Sequence, residues 1–139
     1  MSHKTTKRNI FQRMLGKPIT ELATDADCWQ VDGAVIEVDL DRVPELAGAY
    51  GAVRLEGAAL AGDVLILKDA RGDYHAFENK CAHGGRKLDP VPGTETVCCC
   101  SLGKSVFDYE GNVLSGSAKY PIRVFPVSLA GGRLTVYVN

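Results

Sequence analysis

Two short segments of the sequence contain residue types that bind metals through sulfur and imidazole nitrogen. Cys81 and His83 lie one residue apart in the Gly-rich segment ENKCAHGGRKLDPVPG, and sixteen residues separate His83 from Cys100 in ETVCCCSLGKSVFDYEG. A thiolate and an imidazole on one loop can bind one metal ion or one edge of a metal cluster. Gly84 and Gly85 allow the backbone to approach such a centre closely, because they have no Cβ. We therefore predict a metal site formed by two loops, each with ligands at its tip.

Short β-strands are the elements that must position these loops. AVIEVDL (34–40) alternates, and DVLILK (63–68) and YHAFEN (74–79) flank a turn in which Gly72 is available for a positive φ. VSLAGGRLTVYV forms another hairpin with its turn at Gly131–Gly132, and LDPVPGTETV between the two loops is predicted as a loop that leads into a strand. Many short strands with Gly and Pro turns predict an all-β fold, a small antiparallel sandwich or barrel.

The two loops and the segment that follows them resemble a known family. CAHGGRKL resembles the first cluster loop of Rieske [2Fe–2S] proteins, Cys-x-His-x-Gly-x-x-Leu, and CSLGKSVFD resembles the second, Cys-x-x-His-x-x-x-Phe-Asp. GSAKYPIRVFPV resembles the next segment of the soluble, ferredoxin-like type, and the resemblance covers roughly residues 34–138. It implies three stacked antiparallel sheets, with a [2Fe–2S] cluster held at the tip of a small cluster-binding sub-domain.

The resemblance also implies which residues bind the cluster. In the family pattern the Phe lies seven residues after the ligand Cys, and Phe107 lies seven residues after Cys100. Cys100 therefore takes the ligand position, together with Cys81 and His83 of the first loop. A second histidine should follow Cys100 by three residues, but that residue is Gly103. A Rieske centre needs two Cys and two His ligands, so one ligand is missing.

Several groups can take the place of the missing histidine. Cys99 is the first candidate, because a thiolate is a strong soft ligand. Cys98, a serine oxygen, water and a residue of another chain are the alternatives. Ser105 takes the position of a serine that, in some relatives, donates a hydrogen bond to a cluster sulfide. Of the two other histidines, His75 is predicted as an exposed strand residue and His3 lies near the N-terminus.

Electron transfer is the predicted function. The resemblance implies a cluster that passes single electrons between a reductase and an oxygenase or another redox partner. No substrate-handling triad or second metal site is visible, which favours a component of an oxidoreductase system over an enzyme by itself. Alternatives from other classes are a cluster-less Rieske fold that acts as an interaction module, a Cys₃His zinc site and a thiol redox sensor that uses the Cys triplet.

The chain divides into a basic N-terminal arm, residues 1–28, and a Rieske-like [2Fe–2S] domain, residues 29–139. Residues 1–20 contain five basic residues and no acidic one, although the 139-residue chain has a net charge of −1 and a pI near 6.3. This overall charge argues against general nucleic-acid binding. Apolar positions within residues 10–15 predict a short helix whose apolar face packs on its own domain or forms a homo-oligomer. Cys28 is predicted as a small buried apolar residue.

The sequence also bears on location. No apolar run approaches the ~20 residues that span a bilayer, and the basic start is not followed by the apolar core of a signal peptide. We therefore predict a cytoplasmic protein without a membrane span. In that reducing setting, five cysteines are more typical of metal ligands and buried thiols than of disulfides.

Overall fold

The structure is a computed structural model that describes most of the chain. The described residues are 20, 22, 27–48, 50–57, 60, 62–80, 88–91, 94–99, 105–116 and 120–138. Cys99 and Ser105 of the predicted site lie within these ranges, whereas Cys81, His83 and Cys100 lie outside them. The helix predicted near the N-terminus lies outside them as well.

Twelve strands of the described residues form three four-stranded sheets, and each pairing between these strands is antiparallel. Sheet 1 has the spatial order β1 (Trp29–Asp32), β2 (Val35–Asp39), β12 (Arg133–Tyr137) and β11 (Val127–Ala130). Sheet 2 has the order β10 (Val124–Phe125), β5 (Tyr74–Glu78), β4 (Val64–Lys68) and β3 (Ala52–Leu55). Sheet 3 has the order β6 (Leu88–Val91), β7 (Thr96–Cys99), β8 (Val106–Asp108) and β9 (Val113–Ser115). Two short 3₁₀ turns, Leu40–Arg42 and Pro44–Leu46, follow β2. The predicted fold, all-β with stacked antiparallel sheets, is confirmed.

Sheet 2 packs against both other sheets, and strand β4 explains how. Val64 and Ile66 belong to a first core, which sheet 2 shares with sheet 1, and Leu65 and Leu67 belong to a second core, which it shares with sheet 3. Successive side chains of a strand point to opposite faces, so a strand covered on both faces is apolar at every position. Each buried leucine contributes about 1.5–3 kcal/mol relative to an exposed one. The second core supports sheet 3, the sheet to which both predicted ligand loops connect.

The two predicted hairpins are present. In the turn between β4 and β5, Gly72 has φ +94°, and the Asp69 amide N–H donates to the Asp73 carbonyl oxygen at 2.9 Å. Gly131 and Gly132, between β11 and β12, have φ values of +60° and +78°. Left-handed backbone of this kind favours glycine, which has no Cβ.

Strand β6 departs from the prediction of a loop after the first ligand segment. Leu88–Val91 is extended and pairs with β7, although Pro90 lies within it. β6 is an edge strand of sheet 3 among the described residues, and a proline is tolerated at an edge because its missing N–H interrupts no second ladder. Pro90 therefore indicates the edge of a sheet rather than the absence of a strand.

Part of the N-terminal arm packs on the domain. The amide N–H of Thr20 donates to Asp89 Oδ1 at 2.9 Å, and the Thr20 hydroxyl donates to the same oxygen. Arg54 Nε donates to the Thr20 carbonyl oxygen at 2.6 Å, and Leu22 forms a bridge with Arg54. Cys28 is 1% exposed and lies in the first core, as predicted. The described residues of the arm that precede the first strand therefore form hydrogen bonds with both β3 and β6.

Candidate metal centre

The first ligand segment, residues 81–87, lies between two residues that are joined by a hydrogen bond. Oδ1 of the Asn79 side chain accepts the backbone N–H of Leu88 at 2.7 Å. The backbone N–H of Asn79 donates to the Asp63 carbonyl oxygen at 2.9 Å. Asn79 is 2% exposed, so water does not compete for these bonds. The two ends of the segment are thereby held together at the junction of sheets 2 and 3.

The second ligand segment, residues 100–104, is closed in a similar way. The Cys99 amide N–H donates to the Ser105 carbonyl oxygen at 2.8 Å, next to the β7–β8 ladder. Leu88, where the first segment ends, pairs with Cys99, where the second segment begins. The structure thus brings the described ends of both loops to one end of sheet 3, as a two-loop metal site requires.

The two described cysteines of the triplet have different surroundings. Cys99 is 1% exposed and packs in the second core with Val97, Leu88 and Phe107. Cys98 is 6% exposed and does not belong to that core. Residues two apart on a strand share a face, which explains why Val97 and Cys99 pack together and Cys98 points away. Cys99 lies beside the loops, with its side chain among apolar residues.

One buried atom indicates that a further group belongs at this end of the fold. Nδ2 of Asn79 has no hydrogen-bond partner among the described residues. An unsatisfied buried donor costs about 1–3 kcal/mol, so native proteins rarely retain one. Thiolates and sulfides are acceptors, and the predicted donor set of Cys81, His83 and Cys100 suits an iron–sulfur cluster. The residues present therefore fit a cluster at the end of sheet 3.

The described residues contain no other candidate for the centre. Within them, no group of three His, Cys, Asp or Glu side chains could hold a metal ion. The two ligand loops are therefore the donor set that remains to be tested.

His75 corrects one prediction. It was expected to be an exposed strand residue, but its side chain is only 23% exposed, and Nε2 lies 2.9 Å from Oδ2 of Asp69. Its ring also packs on Tyr109, with 4.4 Å between ring centroids. Tyr109 follows β8 at the end of sheet 3 opposite Cys99, roughly 13 Å along the strand at 3.3 Å per residue. His75 therefore has a structural partner away from the ligand loops.

The Asp69 carboxyl group beside His75 has a lowered pKa. Burial raises the pKa of Asp69, but hydrogen bonds from His75 and from the amide N–H groups of Asp73 and Arg71 outweigh burial, and its pKa is lowered to about 2. Burial, followed by the negative charge of Asp69, raises the pKa of Tyr109 to about 12. Asp69 is thus ionised at neutral pH and organises the β4–β5 turn.

Sequence reasoning overlooked Asn79, which organises the first loop. The available signal was a polar residue two positions before Cys81, at the end of a strand whose other residues include buried apolar ones. A side chain that can both accept and donate hydrogen bonds is suited to closing a loop there.

The three antiparallel sheets bring the ends of both predicted ligand loops to one end of sheet 3, which is the arrangement expected of a β-sheet metalloprotein with the predicted Cys and His ligands. The chain matches the Rieske [2Fe-2S] domain family over residues 29–126 and belongs to that family. Its cofactor is the [2Fe–2S] cluster, and its function is electron transfer.

Curated relatives support the electron-transfer function. The chain is 28% identical over 83 residues to the ferredoxin component of the naphthalene 1,2-dioxygenase system of Pseudomonas aeruginosa, covering 58% of this chain and 78% of the relative. It is 28% identical over 83 residues to the ferredoxin component of the p-cumate 2,3-dioxygenase system of Pseudomonas putida, covering 57% and 69%.

Solved structures agree on the fold. The ferredoxin of carbazole 1,9a-dioxygenase from Nocardioides aromaticivorans has a TM-score of 0.59 at 18% identity, covering 73% of this chain and 94% of that one. The plasma membrane Rieske protein of the cyanobacterium Synechocystis has a TM-score of 0.52 at 20% identity, covering 62% and 85%. Within the described residues, no helix has the length and apolar character that crossing a membrane requires.

Proposed function

We propose that this chain is the ferredoxin component of an oxygenase system and carries single electrons from a reductase to an oxygenase. The observation that carries the proposal is the pairing of Leu88 with Cys99, which joins the ends of both ligand loops. The two curated relatives are named as ferredoxin components of dioxygenase systems. A similar solved structure is a complex of reduced oxygenase and oxidised ferredoxin in carbazole 1,9a-dioxygenase.

The proposed ligands are Cys81 and His83 of the first loop and Cys100 of the second, with Cys99 as the fourth. When bound, the cluster accepts and releases one electron. The thiolates and the imidazole of this chain hold it at the end of sheet 3. Ser105, whose carbonyl oxygen closes the second loop, is proposed to donate its hydroxyl to a cluster sulfide.

Energetics support Cys99 as the fourth ligand despite its place in the second core. Withdrawing its sulfur from apolar contacts costs about 1 kcal/mol, the order of one buried methylene. Structural zinc sites release about 10–16 kcal/mol over four ligands, or roughly 3 kcal/mol per ligand. A bond of that order to iron exceeds the lost packing. Ligation by both Cys99 and Cys100 requires the strand geometry to end between them, and both β7 and the β6–β7 ladder end at Cys99.

We further propose the division into an arm, residues 1–28, and a domain, residues 29–139. The family match begins at residue 29, which supports this boundary. Self-association through residues 10–15 remains a prediction for the arm. A cytoplasmic location remains a proposal, supported by thiolate ligands, which a reducing setting preserves.

Anaerobic purification tests the proposed function. A [2Fe–2S] protein is red-brown with charge-transfer bands, and it yields about two iron and two acid-labile sulfide per chain. Reduction by a ferredoxin reductase should bleach these bands, and the reduced protein should pass its electron to a Rieske oxygenase. Colourless protein that contains zinc, or no metal, would instead indicate a zinc site or a cluster-less interaction module.

A further inference from the structure

Asn79 lies where the first ligand segment leaves sheet 2, and its side chain holds the other end of that segment. Oδ1 accepts the Leu88 amide N–H at 2.7 Å, while the backbone N–H of Asn79 donates to the Asp63 carbonyl oxygen at 2.9 Å. Asn79 is 2% exposed, so these hydrogen bonds are shielded from water. A single side chain thereby joins the start and the end of the segment that contains Cys81 and His83.

The nitrogen of the Asn79 side-chain amide takes part in neither of these hydrogen bonds. Nδ2 of Asn79 has no hydrogen-bond partner in the part of the chain that the structure describes. The amide is planar, and its oxygen is committed to Leu88, so the nitrogen cannot turn toward another acceptor unless that bond breaks. A buried donor held in this way requires an acceptor that the described residues do not supply.

We propose that Asn79 is a positioning residue whose Nδ2 donates a hydrogen bond to a sulfur of the [2Fe–2S] cluster; the inference rests on the proposed function. Cys81, a proposed ligand, is only two residues away. Charged sulfur is a better acceptor than a neutral carbonyl, because charge-assisted hydrogen bonds are roughly twice as strong. Reduction adds negative charge to the sulfurs, so this hydrogen bond stabilises the reduced state and raises the reduction potential.

Two variants of the protein with its cluster bound distinguish the role of the Asn79 side-chain oxygen as an acceptor from the role of its nitrogen as a donor. Asn79→Leu removes both the acceptor for Leu88 and the donor. Asn79→Asp keeps an oxygen for Leu88 and removes the donor. Asn112→Leu is the matched control, because the exposed Asn112 side chain donates to Asp108 in the turn after β8, at the other end of sheet 3.

The measurements are the reduction potential by protein-film voltammetry, the melting temperature and the resonance Raman Fe–S bands in H₂O and D₂O. We expect Asn79→Leu to lower the one-electron equilibrium constant for reduction about tenfold, which corresponds to about 59 mV. Asn79→Leu should also lose part of the D₂O-induced shift of the Fe–S bands. Asn112→Leu should leave both unchanged.

A lower melting temperature of Asn79→Leu with an unchanged potential and an unchanged D₂O shift would mean that Asn79 only closes the loop, and would overturn the inference. If Asn79→Leu fails to bind the cluster, the Asn79→Asp variant tests whether Nδ2 donates to a cluster sulfur. Because the added carboxylate lowers the potential by its charge alone, the D₂O shift is the deciding measurement for Asn79→Asp: the full wild-type shift would overturn the inference, and loss of part of that shift would support it. Wild-type protein without iron and sulfide would refute the proposed function itself, which is a separate result.

Discussion

Replacing Cys99 with alanine separates its two roles, a proposed ligand of the cluster and a member of the second core. Cys99 is 1% exposed and packs with Leu88, Val97 and Phe107. Loss of one buried sulfur, similar in size to a methylene, should cost about 1 kcal/mol of unfolding free energy through packing alone. Loss of a ligand should do more, because binding of the metal centre contributes to folding free energy.

We expect Cys99→Ala to lose most of its iron and sulfide and to change its visible spectrum. Cys98→Ala is the matched control, since Cys98 is the neighbouring buried cysteine outside the second core. It should retain the cluster. Iron and sulfide analysis, absorption spectra and urea denaturation of anaerobically purified protein measure both effects. A loss of only about 1 kcal/mol, with full iron content and an unchanged spectrum, would refute Cys99 as a ligand.

The reduction potential provides an independent check on the fourth ligand. Two thiolates and two imidazoles give an oxidised [2Fe–2S]²⁺ site no net charge, whereas a third thiolate in place of one imidazole makes the site −1. Adding an electron is then harder, so the potential should fall below roughly −150 mV, the lower end of the Rieske range, toward about −400 mV for plant-type clusters. Between about pH 6 and pH 10 the potential should depend less on pH than that of a centre with two histidines, because only His83 can couple a proton. A potential well above zero with a two-proton dependence would mean that a second histidine binds.

Three further predictions follow from the ligand loops, the β4–β5 turn and the arm. Cys81→Ser and His83→Ala should each remove or severely alter the cluster, and an unchanged visible spectrum in either variant would contradict the ligand assignment. The pKa of Asp69 is lowered from 3.8 to about 2, so its ionised form stabilises the fold above about pH 4 and this contribution is lost as the pH falls toward 2. Urea denaturation should therefore show the stability difference between wild type and Asp69→Asn shrinking over that range, and a constant difference would contradict it. Deleting residues 1–27 removes both hydrogen bonds from the arm to the buried aspartate of β6, whereas deleting residues 1–19 retains them. The longer deletion should leave a folded domain that is less stable by roughly 3–6 kcal/mol, for two bonds to a charged group at about 1.5–3 kcal/mol each, and equal stability of the two deletion variants in chemical denaturation would contradict this.

Much of the fold could be predicted because its strands have simple patterns. The continuous apolar run of β4 and the glycines at the two hairpin turns indicated strands and turns directly. Leu88–Val91 was missed because a proline disfavours a strand locally, and only the position of β6 at the edge of sheet 3 removes the penalty. Edge and centre are properties of the sheet and cannot be read from one strand.

The sequence predicts ligands for the candidate site, but it does not predict the residues that support the ligand loops. Cys81, His83 and Cys100 were indicated by residue type and spacing, and Gly103 showed that one ligand departs from the pattern. Asn79 was not found, because its role depends on a contact with a residue nine positions later. The hydrogen bond from the arm to Asp89 spans sixty-nine positions, and no local pattern predicts such a contact.

The pairing of Leu88 with Cys99 makes β6 and β7 one hairpin with a proposed ligand loop at each of its outer ends. The proposed ligands and Asn79 are consequently encoded in a single uninterrupted stretch, residues 79–105. Recombination within a gene, or a deliberate graft, can therefore replace the entire redox centre in one exchange without touching sheet 1. A chimaera that receives this stretch from a relative with the usual second histidine should acquire the donor's electrochemistry while it keeps the recipient's own arm and outer sheet. The reduction potential of the centre can thus be transferred between proteins of this architecture by exchanging one continuous segment.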